Sequence, residues 1–194
     1  MWYTRKGDKG DTKTLREKTG ARISKSSCAT EALGAVDELN SFLGLLKVQS
    51  LNLPFEVRGA PLPALFHVVQ ENLFTAQAEI AGADKRIGSE KVKDIETVIA
   101  GIEKKLPPVK SFCIPGGSTK GKYSTARELA ALLDIARAIS RRAERRVIAG
   151  IEKKELKISA GTLAYLNRLS SLLYALVRFL NHNVGVPEAA PSYK

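Results

Sequence analysis

A chain of 194 residues with 44% hydrophobic and 26% charged residues can bury a substantial core in one domain, which excludes an intrinsically disordered protein. Its net charge of +11 favours an anionic partner such as nucleic acid, an acidic surface or a polyphosphate. Cys28 and Cys113 form no CxxC or metal-ligand spacing, and no apolar leader or membrane span is evident, so we expect a cytoplasmic protein without membrane contact.

The first segment is polar up to Leu15, which by itself is typical of a frayed tail. It nevertheless carries glycines at Gly7 and Gly10 and hydroxyls at Thr4 and Thr12, among alternating cations and carboxylates. Glycines that allow close backbone approach, together with hydroxyls and cations, are typical of a segment that binds phosphate. A frayed tail and a phosphate-binding segment therefore both remain open.

Five later segments have hydrophobic residues at every third or fourth position, the period of a helix packed on a core. Turn and cap residues separate them, and no series of strands is evident. The predicted helices cover residues 30–50, 65–82, 89–106, 124–155 and 159–183, with Ser89 as a cap of the third. Long helices with short connections predict an all-α fold, an antiparallel five-helix bundle.

The first predicted helix places carboxylates beside its core positions. Asp37 and Glu38 lie between the core residues Val36 and Leu39. A carboxylate near a packed surface needs a partner, because unpaired burial of a charge is costly. We expect an arginine of the fourth helix to supply one.

The irregular stretch before the fourth helix nearly matches the phosphate loop GxxxxGK[ST], with Gly116, Gly121 and Lys122 in register. Tyr123 stands where the motif requires a hydroxyl, and no parallel sheet is predicted to support such a loop. The sequence therefore argues against a phosphate loop.

The fourth predicted helix carries arginines around one glutamate. One interpretation is a helix face exposed to water, on which an arginine pairs with the glutamate of the same helix; we call this the solvated-face interpretation. The alternative is a cluster that binds an anion, because guanidinium groups bind phosphate through two parallel hydrogen bonds. The residues concerned are Arg137, Arg141, Arg142, Glu144, Arg145 and Arg146.

The fifth predicted helix has a polar stripe beside its leucine face. An ordinary solvated face would favour Lys and Glu, so this composition indicates a half-buried polar surface, either a subunit interface or a ligand site. The stripe comprises Asn167, Ser171, Tyr174, Arg178 and Asn181.

Five motifs occur in the order seen in the PduO-type ATP:cob(I)alamin adenosyltransferases, and the chain resembles that family over nearly its whole length. They are TRKGDKGDT at 4–12, VDELNS at 36–41, FCIPGG at 112–117, SRRAERR at 140–146 and LNRLS at 166–170. The resemblance implies a five-helix bundle that forms a homotrimer with active sites between subunits. It also implies transfer of the 5′-deoxyadenosyl group of ATP to Co(I) of a corrinoid, which gives adenosylcobalamin and triphosphate.

The resemblance further implies roles for particular residues. Asp37 and Arg137 resemble a pair that forms a salt bridge across the subunit boundary. Phe112 resembles the aromatic that lies under the corrin and displaces its axial ligand, although composition alone favours a core plug. These three and Arg141 are the expected catalytic residues. The expected ATP contacts are Thr4, Arg5, Lys6, Gly7, Thr12, Lys13, Lys25, Arg141, Arg142, Glu144, Arg145 and Asn167.

The resemblance makes residues 1–194 a single domain with a nucleotide-binding loop at 1–28 and a helical bundle at 29–183, and the short terminal segment at 184–194 is expected to be a mobile tail. Mg²⁺ is expected on the ATP phosphates, with no protein side chain as its ligand. A flavoprotein reductase and a B12-dependent enzyme are possible partners. Ser171 and Ala29 depart from the Asp and Arg common in relatives.

The alternative from another class is a basic helical nucleic-acid-binding protein or a structural interaction protein. The charge and the arginine-rich helix favour it, whereas the lack of aromatics among the basic residues and of a recognition motif argues against nucleic acid.

Overall fold

The computed structural model describes residues 3–16, 20–118 and 124–193. Five α-helices dominate it and confirm the all-α prediction. They are α1 Cys28–Gln49, α2 Leu62–Ile80, α3 Ser89–Glu103, α4 Thr125–Glu152 and α5 Ala160–Asn183.

Two antiparallel ribbons accompany the helices. β1 Asp11–Thr12 pairs with β2 Ile23–Ser24, and β3 Glu56–Val57 pairs with β4 Ala60–Pro61. The sequence did not predict them, because strands of two residues are too short to show an alternating pattern.

Helix α4 packs on both α1 and α5, while α2 packs on α1 and α3 packs on α5. The leucines of α1 and α5 that the sequence assigned to the core are almost all fully buried. Those with at most 2% exposure are Leu39, Leu43, Leu46, Leu166, Leu169, Leu173, Leu176 and Leu180. In the described parts of the chain, no helix is both long and apolar enough to cross a membrane.

Serine caps set the beginnings of three helices. Ser27, Ser124 and Ser159 each accept a hydrogen bond from the amide three residues later, at 3.2–3.3 Å. Ser89 is not a cap, contrary to the sequence prediction. It is the first residue of α3, and the extended Gly88 occupies the cap position without a side-chain hydrogen bond.

Glu79 of α2 binds the first turn of α5. Its Oε1 accepts a hydrogen bond from the amide of Ser159 at 2.6 Å, and its Oε2 accepts from the hydroxyls of Ser159 at 3.1 Å and Thr162 at 2.5 Å. A carboxylate at a helix N-terminus is also stabilised by the helix dipole. Glu79 therefore fixes the end of α5 against α2.

We expect Glu79→Ala to lower the free energy of unfolding by about 2–3 kcal/mol, because it leaves partly buried donors without their charged acceptor. Denaturant unfolding followed by circular dichroism measures this change. Glu71→Ala is the matched control, since Glu71 is an exposed residue of the same helix. Equal stability of the two variants would contradict a structural role for Glu79.

The C-terminal segment, residues 186–189, is attached to the loop before α4. The amide of Ile114 donates to the carbonyl of Ala189 at 2.7 Å, and the amide of Ser118 donates to the carbonyl of Pro187 at 3.1 Å. The mobile tail expected over 184–194 stays a prediction, and these two hydrogen bonds involve Pro187 and Ala189 of that tail.

Candidate functional site

The main cleft, of about 570 Å³, lies between the loop before α4 and the adjoining surfaces of α4 and α5. The loop contributes both apolar side chains and the polar Lys110 and Ser111, whereas α4 and α5 contribute mostly polar ones, and Glu188 of the C-terminal segment also lines the cleft. Residues from all three elements that line it include Phe112, Cys113, Asp134, Arg137, Arg141, Ser171, Tyr174, Arg178 and Asn181.

Helix α4 places Asp134, Arg137 and Arg141 in the cleft because spacings of three and four residues share one helical face. The Nε of Arg137 donates to Oδ1 of Asp134 at 3.1 Å, and the Asp134 side chain is only 9% exposed. This buried carboxylate orients the guanidinium. Sequence reasoning missed Asp134, although its position three residues before Arg137 was a usable signal.

The predicted arginine cluster separates into paired and unpaired members. Arg142 donates to Oε2 of Glu38 on α1 at 2.5 Å. Arg141 and Arg145 are exposed, and within the described residues neither has a hydrogen-bond or ion-pair partner. Of the neighbouring carboxylates Asp37 and Glu38, it is therefore Glu38 that takes a partner from α4. Arg141 and Arg145 keep their donors free for an anion.

Glu144 is held from α5 and not by an arginine of its own helix. The Nδ2 of Asn167 donates to Oε1 of Glu144 at 2.8 Å, and Nη1 of Arg168 donates to Oδ1 of Asn167 at 2.7 Å. The intrahelical Arg–Glu pair, which was part of the solvated-face alternative, is not present among the hydrogen bonds and ion pairs of the described residues. Asn167 reaches Glu144 because α4 and α5 pack side by side.

Four members of the α5 polar stripe line the cleft, which favours a ligand site for that part of the stripe. Burial raises the pKa of Tyr174 and, together with the nearby Glu188 carboxylate, the pKa of the Cys113 thiol. Both groups are therefore protonated and uncharged near neutral pH. The lining members of the stripe are Ser171, Tyr174, Arg178 and Asn181.

Phe112 lies on the loop at the edge of the cleft and is 81% exposed. An aromatic ring so exposed adds little to the core, so the structure does not fit the core-plug alternative. The ring is available to contact a ligand in the cleft.

The N-terminal segment is folded by side chains that return to its backbone. The Nζ of Lys25 donates to the carbonyl of Gly7 at 2.9 Å, and Arg22 donates to the carbonyls of Lys6 at 2.8 Å and Asp11 at 2.9 Å. The Arg22 guanidinium holds the pKa of the Asp11 carboxyl below its usual range. Arg22 was missed because one arginine in a polar loop has no distinguishing pattern.

Gly7 and Gly10 serve this loop differently from the sequence expectation. A Cβ on Gly7 would lie 2.9 Å from Nζ of Lys25, so this glycine makes room for the lysine. Gly10 has a φ of +80°, and its amide donates to the carbonyl of Gly7 at 3.1 Å. The Gly10 amide is therefore already used and is not a free phosphate donor.

Most predicted ATP contacts outside α4 surround one recess of about 360 Å³. Those lining it are Thr4, Arg5, Lys6, Gly7, Thr12, Lys13 and Lys25. A neighbouring recess of about 470 Å³ shares Thr12 and Lys25 and adds Asp37 and Gln77. The N-terminal contacts and Asp37 thus form one group.

Asp37 is exposed and accepts a hydrogen bond from Nε2 of Gln77 at 3.2 Å, whereas Arg137 binds Asp134. The two residues predicted to pair across a subunit boundary do not pair within this chain. Across the described ranges, no hydrogen bond or ion pair joins the N-terminal group to the arginines of the cleft. The predicted N-terminal contacts and the predicted cleft residues therefore line separate recesses, whereas Arg142, Glu144, Arg145 and Asn167 line neither.

No three His, Cys, Asp or Glu side chains within residues 3–16, 20–118 and 124–193 are grouped so that they could hold a metal ion. The stretch that resembles a phosphate loop falls mostly on residues 119–123, which lie outside the described residues.

Comparison with known proteins finds relatives that are corrinoid adenosyltransferases. The family model for cobalamin adenosyltransferase matches residues 2–180. The chain is 38% identical to a corrinoid adenosyltransferase of Bacillus subtilis, over 95% of this chain and 88% of that protein. It is 34% identical to the corrinoid adenosyltransferase PduO of Citrobacter freundii, over 93% of this chain but only 50% of that longer protein.

Solved structures show the same similarity. A phenylalanine-to-histidine variant of the PduO-type ATP:corrinoid adenosyltransferase from Lactobacillus reuteri was solved in complex with cobalamin and ATP. It superposes on this chain with a TM-score of 0.80 at 27% identity. This alignment covers 99% of this chain and 97% of that one. An arginine-to-lysine variant of the same enzyme, complexed with ATP, gives a TM-score of 0.78 at 28% identity, with 97% and 99% covered.

Proposed function

Since the chain belongs to the cobalamin adenosyltransferase family, we propose that it catalyses the ATP-dependent adenosylation of cobalamin. The 5′-deoxyadenosyl group of ATP is transferred to Co(I) of the corrinoid, and triphosphate is released. The observation that carries this proposal is the cleft in which an exposed Phe112 and the guanidinium groups of Arg137 and Arg141 border the same space. An apolar contact surface and fixed cations are what a corrin ring and a polyphosphate require.

The reaction needs positioning and charge stabilisation more than proton transfer. The Co(I) lone pair forms a Co–C5′ bond while the C5′–O bond of ATP breaks, and the leaving triphosphate takes the electron pair. Arg141 and Arg145, whose donors are free, stabilise the negative charge that develops on the triphosphate. Cys113 and Tyr174 stay protonated and supply no nucleophile, because the corrinoid itself carries the nucleophilic centre.

Phe112 provides an apolar surface against one face of the corrin. Its ring is 81% exposed, and in this proposal it takes the place of the lower axial ligand of cobalt. Cobalt without that ligand is four-coordinate and easier to reduce to Co(I). In this role Phe112 acts on the reduction step and Arg141 on the transfer step.

We infer a homotrimer in which each active site combines two subunits, because the predicted contacts line two separate recesses. Lys25 lines the N-terminal recess and Arg141 lines the cleft, and the two linings share no residue. One ATP can contact both groups if the recess of one subunit faces the cleft of its neighbour. Asp37 of one subunit would then pair with Arg137 of the next.

If Asp37 and Arg137 pair across subunits, the single alanine variants should each lose activity and the double variant should be no worse than the poorer single one. We expect a coupling energy of about 1 kcal/mol or more in kcat/KM for the corrinoid. Steady-state kinetics of the four proteins measure it.

Mixed trimers distinguish this pair from one within a subunit. Coexpressed Asp37→Ala and Arg137→Ala chains create some interfaces in which both residues are intact, so activity should return above that of either variant. Additive single effects, no recovery on mixing or a monomeric native protein would each contradict the pairing.

Mg²⁺ would enter with the triphosphate and be held mainly by phosphate oxygens and water, as is usual for this ion. A flavoprotein reductase would supply the electron that converts Co(II) to Co(I), and a B12-dependent enzyme would take the product.

Anaerobic incubation with ATP and chemically reduced cobalamin tests the function directly. We expect the visible spectrum to change to that of an alkylcobalt corrinoid, with triphosphate formed in equal amount, and no change without ATP. If the Co(I) corrinoid were only reoxidised and no alkylcobalt spectrum appeared, the proposal would be refuted. The alternative of a basic nucleic-acid-binding or structural interaction protein has no support among the relatives.

A further inference from the structure

Arg178 of α5 and Glu188 of the C-terminal segment form an ion pair to which the reaction above assigns no role. The Nε of Arg178 donates to Oε1 of Glu188 at 2.5 Å, and its Nη2 donates to Oε2 at 3.2 Å. Two parallel hydrogen bonds of this kind fix both distance and orientation. The pair therefore attaches the C-terminal segment to α5 in one geometry.

The same guanidinium also holds the loop that carries Phe112, defined here as residues 107–118. The Nη2 of Arg178 donates to the carbonyl of Pro107 at 2.8 Å, at the beginning of that loop. Arg178 is only 8% exposed, so few water molecules can replace its partners. One buried cation thus joins the loop to the C-terminal segment.

The far end of the Phe112 loop rests on the C-terminal segment itself. Ile114 and Ser118 donate their amides to carbonyls of Ala189 and Pro187. A Cβ built on Gly117 would lie 2.7 Å from Cγ1 of Val186, so loop and segment are in direct contact. The loop is therefore supported at its beginning by Arg178 and at its end by the segment that Glu188 attaches.

We propose that the Arg178–Glu188 pair is a positioning device that holds Phe112 in place at the cleft through the C-terminal segment. This inference rests on the proposed function only in the role that it gives to Phe112. Because Phe112 is 81% exposed, its own ring packs too little to fix the loop. The position of the ring must therefore come from the backbone contacts at Pro107, Ile114 and Ser118.

Loss of the Glu188 charge should release this support. In Glu188→Gln the amide cannot accept two charge-assisted bonds, and the buried Arg178 charge remains without its counterion. The C-terminal segment then detaches from α5 and from the loop more often, and the amides of Ile114 and Ser118 lose their carbonyl acceptors. Helix α5 stays folded, because its leucine face does not depend on Glu188.

The first measurement is amide hydrogen exchange at Ile114 and Ser118 in the full chain. We expect both amides to exchange roughly tenfold faster in Glu188→Gln and Glu188→Ala, with unchanged protection in the middle of α5. Glu96→Gln is the matched control. Glu96 of α3 forms an ion pair at 2.9 Å with Arg168, which lies on α5 like Arg178, and this pair makes no hydrogen bond to the Phe112 loop. Glu96→Gln should leave Ile114 and Ser118 unchanged.

The second measurement separates positioning from general stability. In Glu188→Gln we expect turnover from Co(II) cobalamin with a reductant to fall severalfold, while KM for ATP stays close to wild type. Turnover starting from chemically reduced Co(I) should fall less, because that substrate has already passed the step that Phe112 assists.

The outcomes are distinct. Unchanged exchange at Ile114 and Ser118 in both Glu188 variants would overturn the attachment. Faster exchange with normal turnover from Co(II) cobalamin would overturn the positioning role. If the wild-type protein forms no adenosylcobalamin, the proposed function fails, whereas the exchange measurement still decides whether the pair supports the loop.

Discussion

Arg141→Ala should lower kcat/KM for ATP by roughly a hundredfold or more, the usual effect of removing a fixed donor from a developing negative charge. Arg141 lines the cleft and is exposed. Because no partner within the described residues uses its guanidinium, truncation should leave the free energy of unfolding within about 0.5 kcal/mol of wild type. Single-turnover formation of adenosylcobalamin from Co(I) and ATP measures the loss.

Two further variants make this prediction specific. Arg141→Lys keeps the charge but not the bidentate geometry, so we expect only partial recovery. Arg146→Ala is the matched control on the same helix, since Arg146 contacts Glu31 at 3.8 Å and does not line the cleft. Normal turnover of Arg141→Ala, or an equal loss in Arg146→Ala, would favour the solvated-face interpretation.

Phe112→Ala should reduce turnover from Co(II) cobalamin by roughly a hundredfold, the scale on which misplaced reacting groups lower rates. The physical reason is that the alanine leaves space for the lower axial ligand to stay on cobalt, which makes reduction to Co(I) harder. The affinity for ATP should stay the same. Assays with a constant reductant and saturating ATP measure the change.

Cobinamide provides the internal control, because it has no lower ligand to displace. We expect Phe112→Ala to lose less turnover with cobinamide than with cobalamin. The melting temperature should hardly change, since a side chain that is 81% exposed contributes little to stability. Equal losses with both corrinoids and a lower melting temperature would identify Phe112 as a structural residue instead.

The helical fold could be predicted because its signals are local. Leucines at spacings of three and four mark the buried faces of α1 and α5, and Ser124 and Ser159 stand directly before the helices that they cap. The end of α3 was placed three residues too late, at 106 instead of Glu103. Helix ends depend on the last backbone hydrogen bonds, which the apolar period does not determine.

The candidate site could be predicted only in part. Motif order brought Phe112 and Arg141 to attention, and the structure places both at one cleft. Asp134 was not predicted as a site residue, because a carboxylate in an amphipathic helix usually faces water. In the structure its side chain is buried beside Arg137. Assignment of Asn167 as the partner of Glu144 required the packing of α4 on α5.

The helical class, the core faces and the residue types available for chemistry can be read from the chain without its coordinates, since they follow from composition and from the period of a helix. Which charges pair across elements could be assigned only after folding brought them together, as with Glu38 and Arg142 and with Glu188 and Arg178. The partners of these pairs are 104 and 10 residues apart along the chain. Such pairing depends on how the helices and the C-terminal segment pack. The hydrophobic period of a helix shows which face is buried but does not specify which neighbouring element covers that face.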